Sequence, residues 1–373
     1  MTETEFLARN YSNNIAEGQV SWASPSNIAL VKYWGKKENQ IPENQSISFT
    51  LNTCKTETKL SFVKKEKEDN LFSFDVFFEN KKNTDFKPKI ETFFKRIESY
   101  LPFLKAYHFT IETSNTFPHS SGIASSASGM SALALCLMSV EKQLLELDAT
   151  LNDTERVLTD AYFNKKASFL ARLGSGSACR SIEGDLIVWG EHKEIKGSSN
   201  LYGVKYPDAV HDNFKNYQDT ILLVDKGEKQ VSSTVGHNLM HGHPFAKERF
   251  KQAENNITKI KDILKSGDLK AFIALIESEA LTLHAMMMTS MPYFILMKPN
   301  TLEIINKIWE FRRKTGLHIG FTLDAGANVH VLYPESEAKQ IYEFINTELV
   351  AYCQNGHYIC DTIGFGAERI NSL

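Results

Sequence analysis

The chain has 373 residues, with 42 Lys and Arg against 45 Asp and Glu, for a formal net charge of −3. That length suits about two domains of roughly 100–200 residues each, and 42% apolar with 23% charged content is that of an ordinary globular protein. An acidic balance with no basic stripe argues against nonspecific nucleic-acid binding but leaves room for a local basic pocket and an anionic small molecule.

The chain opens on "MTETEFLARNYSNN", which lacks the basic region and apolar core of a secretory signal. Residues 19–33 are rich in β-branched and aromatic side chains and predict one or two strands. Strands are expected again at 46–51, 57–65 and 71–80. Ile90, Phe93, Phe94, Ile97 and Leu101 at helical spacing predict an amphipathic helix over 86–101. A strand (107–114), a Ser/Gly-rich loop and a helix through 130–144 follow. Residues 155–174 predict one or two helices, and 184–190 a strong strand. Beyond a loop at 194–204, a strand is expected at 219–226 and a capped helix start at 232–240. Helical patterns occupy 245–265, 267–285 and 300–315. Strand–turn–strand (319–334), a helix (335–350) and a strand near 357–363 close the chain. The pattern is α+β, with antiparallel strands and helices in two packed units. A boundary near 190–205 divides it into 1–200 and 201–373. No run approaches the roughly 18 apolar residues of a membrane span. Five cysteines without CxxC spacing read as reduced thiols of a cytosolic compartment.

Several stretches carry chemistry. "TFPHSSGIASSASG" (116–129) has no charge and little side chain. Its glycines allow close backbone approach, and the following helix presents free N–H groups and a positive dipole end, which together suit a phosphate. Ser125 and Ser126 add hydroxyls for phosphate oxygens or magnesium. The same residues also suit a small-residue helix packed tightly on a neighbour. Neither GxxxxGK[ST] nor a GxGxxG following a strand occurs. "SNIALVKYWGKKE" (26–38) gathers Lys32, Lys36 and Lys37 with Tyr33 and Trp34, as a ligand site or as a solvated basic turn. "ARLGSGSACRS" (171–181) sets bare backbone beside Arg172 and Arg180, suited to phosphate or carboxylate, or to a tight turn. Two such loops and a Lys cluster together favour a polyanionic ligand. Asp324 in "TLDAGAN" (322–328) is a candidate base or orienter, or an Asx-turn residue. His237 and His241 have the H-x3-H spacing of a zinc site, with His243 beside them; surface histidines are the commoner explanation. The Met-rich stretch 284–297 reads as core packing.

"PHSSGIASSASG" resembles the Pro-x-x-x-Gly-(Leu/Ile)-(Ala/Gly)-Ser-Ser-Ala loop of the GHMP kinase superfamily. "NIALVKYWGK", "SISFTL", "GSGSACRS", "VSST" (231–234) and "TLDAGAN", in that order, are similar to the diphosphomevalonate decarboxylase family within it. The resemblance implies a two-domain GHMP kinase fold: a ribosomal protein S5 domain 2-like N-terminal domain, an α/β-sandwich C-terminal domain and a site between them. It implies phosphorylation of the tertiary 3-hydroxyl of mevalonate 5-diphosphate by ATP with Mg2+, then loss of phosphate and CO2 to give isopentenyl diphosphate. It assigns catalysis to Asp324, Lys32 and Arg180, and the substrate carboxylate to Arg180 with Asn27. Tyr33, Lys36, Ser175 and Ser177 would surround the substrate diphosphate. Ser121, Gly122, Ile123, Ala124, Ser125 and Ser126 would hold the ATP phosphates, with Ser125 or Ser126 toward the metal. A homodimer is the family habit, here in the cytoplasmic compartment that the cysteines suggest. Three departures stand out. Ala327 replaces an expected Pro, which would loosen that turn. The loop opens Pro118-His119-Ser120-Ser121. No Arg lies in 66–90 to meet the diphosphate, leaving Lys81, Lys82 or Lys87 as substitutes.

Overall fold

The computed structural model describes residues 2–67, 69–118, 123–227 and 233–370. The chain begins with two long strands, β1 (Glu17–Val31) and β2 (Ser46–Lys64), then β3 (Ser73–Phe78), β4 (Lys81–Lys82), α1 (Lys87–Ile97) and β5 (Tyr107–Asn115). Next come α2 (Ser125–Glu146), α3 (Asp153–Arg156), α4 (Asp160–Gly174), β6 (Leu186–Trp189) and β7 (Val204–Lys205). The second half holds β8 (Gln218–Leu222), α5 (Ser233–Asn238), α6 (Ala246–Ser266), α7 (Leu269–Met288) and α8 (Pro299–Thr315). It closes with β9 (Gly320–Leu323), β10 (Val329–Tyr333), α9 (Ala338–Phe344), β11 (Tyr358–Thr362) and β12 (Glu368–Arg369).

These elements build the expected α+β architecture around two sheets. The first has the order β12-β1-β2-β5-β3-β4, with β6 on β2 and β7 on β6; the second has the order β11-β8-β10-β9. One face of the first sheet, including Leu60, Phe62 and Phe109, meets the apolar sides of α1, α2 and α4. Its other face, with Ile28, Leu30, Ile47 and Phe49, packs on α6 and α7 through Ile257, Ile260, Phe272 and Ile276. A third core seals the second sheet, where Phe321, Leu323 and Val329 meet Ile304 and Ile308 of α8. By length and composition α7 is apolar enough to cross a membrane, but most of it is buried inside the fold.

Four differences from the sequence reading have local causes. The strands expected at 46–51 and 57–65 are one strand, β2, whose pairing with β1 jumps between Pro25 and Asn27. The residues skipped there give their N–H groups to a side chain: Asn52, Thr53 and Cys54 donate to the Asp361 carboxylate at 2.9, 2.9 and 2.8 Å. The strand expected to reach residue 80 stops at Phe78, because Glu79 and Asn80 take φ of 49° and 62° in a tight hairpin to β4. The first sheet is not wholly antiparallel: β3 runs parallel to β5, and α1 lies on the crossover that a parallel pair requires. The helix expected over 335–350 is shorter, since α9 passes into a π-helical turn at Ile345–Leu349.

Asp361, 4% exposed on β11, therefore stitches the second sheet to the break in β2. We expect Asp361→Ala to leave the buried Cys54 amide and the part-buried amides of Asn52 and Thr53 without their acceptor and to destabilise the fold by about 3 kcal/mol. A fall in the denaturant midpoint at unchanged slope would show this; an unchanged midpoint would contradict it.

Candidate active site

A cleft of about 780 Å3 opens where the first sheet, α2, the 174–177 loop and the β9–β10 turn meet. Lys32, Arg180 and Asp324 all line it, as do Asn27, Tyr33, Lys36, Ala124, Ser125, Ser126, Ser175 and Ser177. Stretches up to 300 residues apart in sequence thus come to one place.

The floor is the end of β1. Lys32 follows the last β1 residue, 1% exposed, and its ammonium has no hydrogen-bond partner among the described residues. Burial pushes its pKa down to about 8, while the carboxylates of Asp324 and then Glu279 pull the other way. Arg180, 3% exposed, donates from Nε to Asn27 Oδ1 at 3.2 Å and from Nη1 to Ser46 Oγ at 2.5 Å. Asn27 in turn donates to Ser181 Oγ at 2.8 Å and to the Ser177 carbonyl at 3.2 Å. A guanidinium fixed on one side by neutral acceptors keeps its charge for a ligand. Burial lowers the Arg180 pKa, but a guanidinium remains charged.

The wall beside Lys32 is aromatic. Tyr33 sits edge-on to Trp189 with centroids 4.7 Å apart, and its hydroxyl lies against Gly176. A Cβ at Gly176 would come within 2.9 Å of both the Trp189 ring and the Tyr33 hydroxyl, so the position favours glycine. His237 lies 4.3 Å from the Tyr33 ring and 4.5 Å from Trp34, and its Nδ1 accepts the Gly35 N–H at 3.0 Å. Burial, then the Lys36 charge, pushes its pKa down to about 3, so it is neutral, with Nε2 carrying the proton. It is therefore part of the site's wall. His243 is buried elsewhere, with Nε2 3.1 Å from the Met286 carbonyl, and His241 is exposed. Among the described residues no group of three or more His, Cys, Asp or Glu stands together to hold a metal ion.

The opposite rim is the start of α2. Ala124 is its N-cap in the left-handed region (φ 47°), and no side chain caps that end among the described residues. Ser125 and Ser126 form the first turn, and Ser126 Oγ lies 3.4 Å from Ser175 Oγ. The two Ser/Gly loops therefore meet, leaving uncapped amides and hydroxyls facing the cleft. Hydroxyls alone make a weak cation site, but beside phosphate oxygens they suit the hard-ligand demand of magnesium. The Ile123 side chain does not join them: it is 2% exposed in the core, and its carbonyl accepts the Ser26 hydroxyl. Ser121, Gly122, Val231 and Ser232 lie outside the described residues.

Asp324 sits in the β9–β10 turn. The Ala327 departure leaves that turn well tied: Gly326 donates to the Asp324 carbonyl at 2.7 Å and Thr301 Oγ1 to the Ala327 carbonyl at 2.6 Å.

Two further corrections concern cations. Arg172 turns away from the cleft: it is wholly buried and donates to the carbonyls of Leu201 and Asn39. Of the lysines in 66–90, Lys82 and Lys87 pair with Asp75, at 3.0 and 3.3 Å. Lys89, in the first turn of α1, is the one that lines the cleft with Lys36. Crowding by the cleft walls and then the Lys36 charge lowers its pKa, an effect tempered because the side chain faces open solvent. The sequence showed only four lysines near one another; the start of α1 at Lys87 and Pro88 decides which one turns inward. The Met-rich stretch divides similarly, with Met286 and Met287 in a core beside Trp34 but Met288 and Met291 exposed.

Comparison with known proteins gives this arrangement its relatives. The diphosphomevalonate decarboxylase-like N-terminal domain matches residues 24–201 and the mevalonate 5-diphosphate decarboxylase C-terminal domain residues 220–363. The diphosphomevalonate decarboxylase of Debaryomyces hansenii is 30% identical over 332 residues, covering 86% of this chain and 80% of its own. That of Ganoderma lucidum is 28% identical over 374 residues, covering 94% of this chain and 86% of its own. Among solved structures, mevalonate diphosphate decarboxylase from Staphylococcus aureus superposes with a TM-score of 0.77 at 28% identity, covering 95% of this chain and 98% of that one. A structure of MDDEF in complex with MVAPP, AMPPCP and magnesium also gives 0.77, at 26% identity, over 96% of this chain and 100% of that one. Sequence along both halves and backbone along nearly the whole length agree, and the chain belongs to the diphosphomevalonate decarboxylase family of the GHMP kinase superfamily.

Proposed function

We propose that this protein converts mevalonate 5-diphosphate and ATP to isopentenyl diphosphate, ADP, phosphate and CO2. The observation that carries the reading is the shared cleft: a helix N-terminus with no side-chain cap among the described residues, the four cations Lys32, Lys36, Lys89 and Arg180, and the Asp324 carboxylate line a single space. That space suits two polyanions, although the chain as a whole is acidic.

The start of α2 with Ser125 and Ser126 would receive the ATP phosphates, and these hydroxyls would complete the coordination of Mg2+. The metal would neutralise charge between the phosphates. Lys36, Lys89, Tyr33, Ser175 and Ser177 would hold the substrate diphosphate. Arg180, kept in plane by Asn27 and Ser46, would grip the substrate carboxylate in a bidentate way. This leaves the tertiary hydroxyl between Asp324 and the γ-phosphate. A hindered alcohol gains most from being held in line.

Asp324 would accept the hydroxyl's hydrogen bond and aim an oxygen lone pair at phosphorus. In a loose transition state little charge builds on that oxygen, so its proton passes late to a phosphoryl oxygen and Asp324 stays anionic. The O–P bond forms, the bond to the β-phosphate oxygen breaks and ADP leaves. Lys32 would balance the charge of the transferred group. The C3–O bond then breaks with phosphate taking its electron pair. The bond to the carboxylate breaks next, its electrons forming the alkene as CO2 leaves. The fixed anion of Asp324 stabilises positive charge building at C3. The five free thiols, four of them buried, suit a reducing cytoplasm, where the enzyme would act as the homodimer that the family resemblance implies.

The direct test is to incubate the protein with ATP, Mg2+ and mevalonate 5-diphosphate and follow CO2 and isopentenyl diphosphate. Release of both supports the reading; ADP without CO2 identifies a kinase on the same fold. Asp324→Asn should abolish turnover while leaving binding of an ATP analogue within a few-fold; surviving turnover would remove Asp324 from the chemistry. Lys89→Ala should raise KM for mevalonate 5-diphosphate about tenfold through loss of a charge-assisted contact, with KM for ATP little changed. An unchanged KM would place the diphosphate elsewhere. Lys32 is charged below its pKa of about 8, so kcat/KM should hold below that pH and fall above it. Lys32→Arg should lose this alkaline limb at a lower plateau; a limb that persists belongs to another group.

A further inference from the structure

We propose that Glu279 and His284, both on α7, are positioning residues that fix where Lys32 and Asp324 stand relative to each other. Neither residue lines the cleft, so each acts through the group it holds. The inference rests on the functional reading above.

At Lys32 the β1 ladder has ended, and side chains take over its backbone groups. The Lys32 N–H donates to Glu279 Oε2 at 2.8 Å. Its carbonyl accepts from Asn44 Nδ2 at 2.9 Å and from Arg249 Nη2 at 3.0 Å. Glu279 is itself immobilised: wholly buried, it accepts two bonds from Arg249, at 3.0 and 2.5 Å, and one from Asn256 at 2.6 Å. Among the described residues the Lys32 ammonium has no hydrogen-bond partner, so this backbone grip is what anchors the residue.

Five residues further along α7, His284 Nε2 lies 3.1 Å from the Asp324 carbonyl. His284 is 1% exposed, and burial pushes its pKa down to about 4. It is therefore neutral, and Nε2–H is the donor to that carbonyl. One helix thus holds the backbone of both groups that face the reacting hydroxyl. Five residues of α-helix rise about 7.5 Å, a spacing that hydrogen-bonded turns hold rigidly. Positioning of this kind matters to rate more than to binding, because a shift of about 1 Å in a reacting group can cost about a hundredfold.

The test is steady-state kinetics on the full chain with ATP, Mg2+ and mevalonate 5-diphosphate, with the active fraction counted by bound ATP analogue. His284→Phe should lower kcat by about thirtyfold or more while both KM values stay within about threefold. His284→Gln, which keeps an N–H donor, should recover most of that loss. Glu279→Gln should lower kcat in the same way, and it also leaves the Arg249 charge unmatched. If that variant fails to fold, the two His284 variants decide alone. A role in stability only would lower the melting temperature of the His284 variants without changing kcat per bound nucleotide, and that result overturns the proposal. No turnover by the unsubstituted protein overturns the functional reading and this inference with it. Normal turnover by the unsubstituted protein and by all variants overturns this inference alone.

Discussion

The buried ammonium of Lys32 is the group around which the two halves of this chain are arranged. A lone charge in a protein interior is costly, and desolvation is the main reason this one stands at about 8. Carboxylates from the other half of the chain pull the other way, Asp324 and Glu279 most strongly and Asp219 less. The first sheet supplies the lysine, α7 and the β9–β10 turn supply its counter-charges, and the cores beneath them keep the three in place. The buried Arg249–Glu279 pair, which would add little stability by itself, serves that one juxtaposition.

Backbone does the complementary work. The start of α2 and the 174–177 loop present amides and small hydroxyls rather than long side chains, and Ser126 and Ser175 bring them together. Such a surface accepts phosphates without bringing mobile charges of its own. The cost is conformational: Ala124 is held at a positive φ, and Gly176 is pinned between Tyr33 and Trp189. Long cations, Lys36 and Lys89, are kept for the other end of the cleft, where an extended diphosphate can be reached by flexible stems.

Much of this was legible in the amino-acid order. Alternating and helical periodicities located nearly every long element, because those periods follow directly from which face is buried. The loops were legible because their composition is so unusual, and their shared order with a known family gave Lys32, Arg180 and Asp324. What stayed hidden was whatever depends on distant partners. Nothing near residue 52 announces that Asp361 will take its amides, so one bent strand looked like two. His237 had the spacing of a metal ligand, yet its neighbours are rings from β1's end. Lys89 could not be told from Lys81, Lys82 and Lys87 until α1 had a direction and Asp75 had claimed two of them. Glu279 and His284 lie in an apolar helix that reads as simple core.

The central claim is geometric: one cleft holds both polyanions, with the substrate's tertiary hydroxyl between Asp324 and the phosphoryl group to be transferred. A crystal structure with mevalonate 5-diphosphate and a non-hydrolysable ATP analogue measures this directly. The account predicts the hydroxyl within hydrogen-bond reach of the Asp324 carboxylate, the substrate carboxylate on Arg180 and the γ-phosphate between Lys32 and the start of α2. A substrate whose hydroxyl faces away from Asp324, or a nucleotide whose phosphates lie outside the α2 terminus, would contradict it.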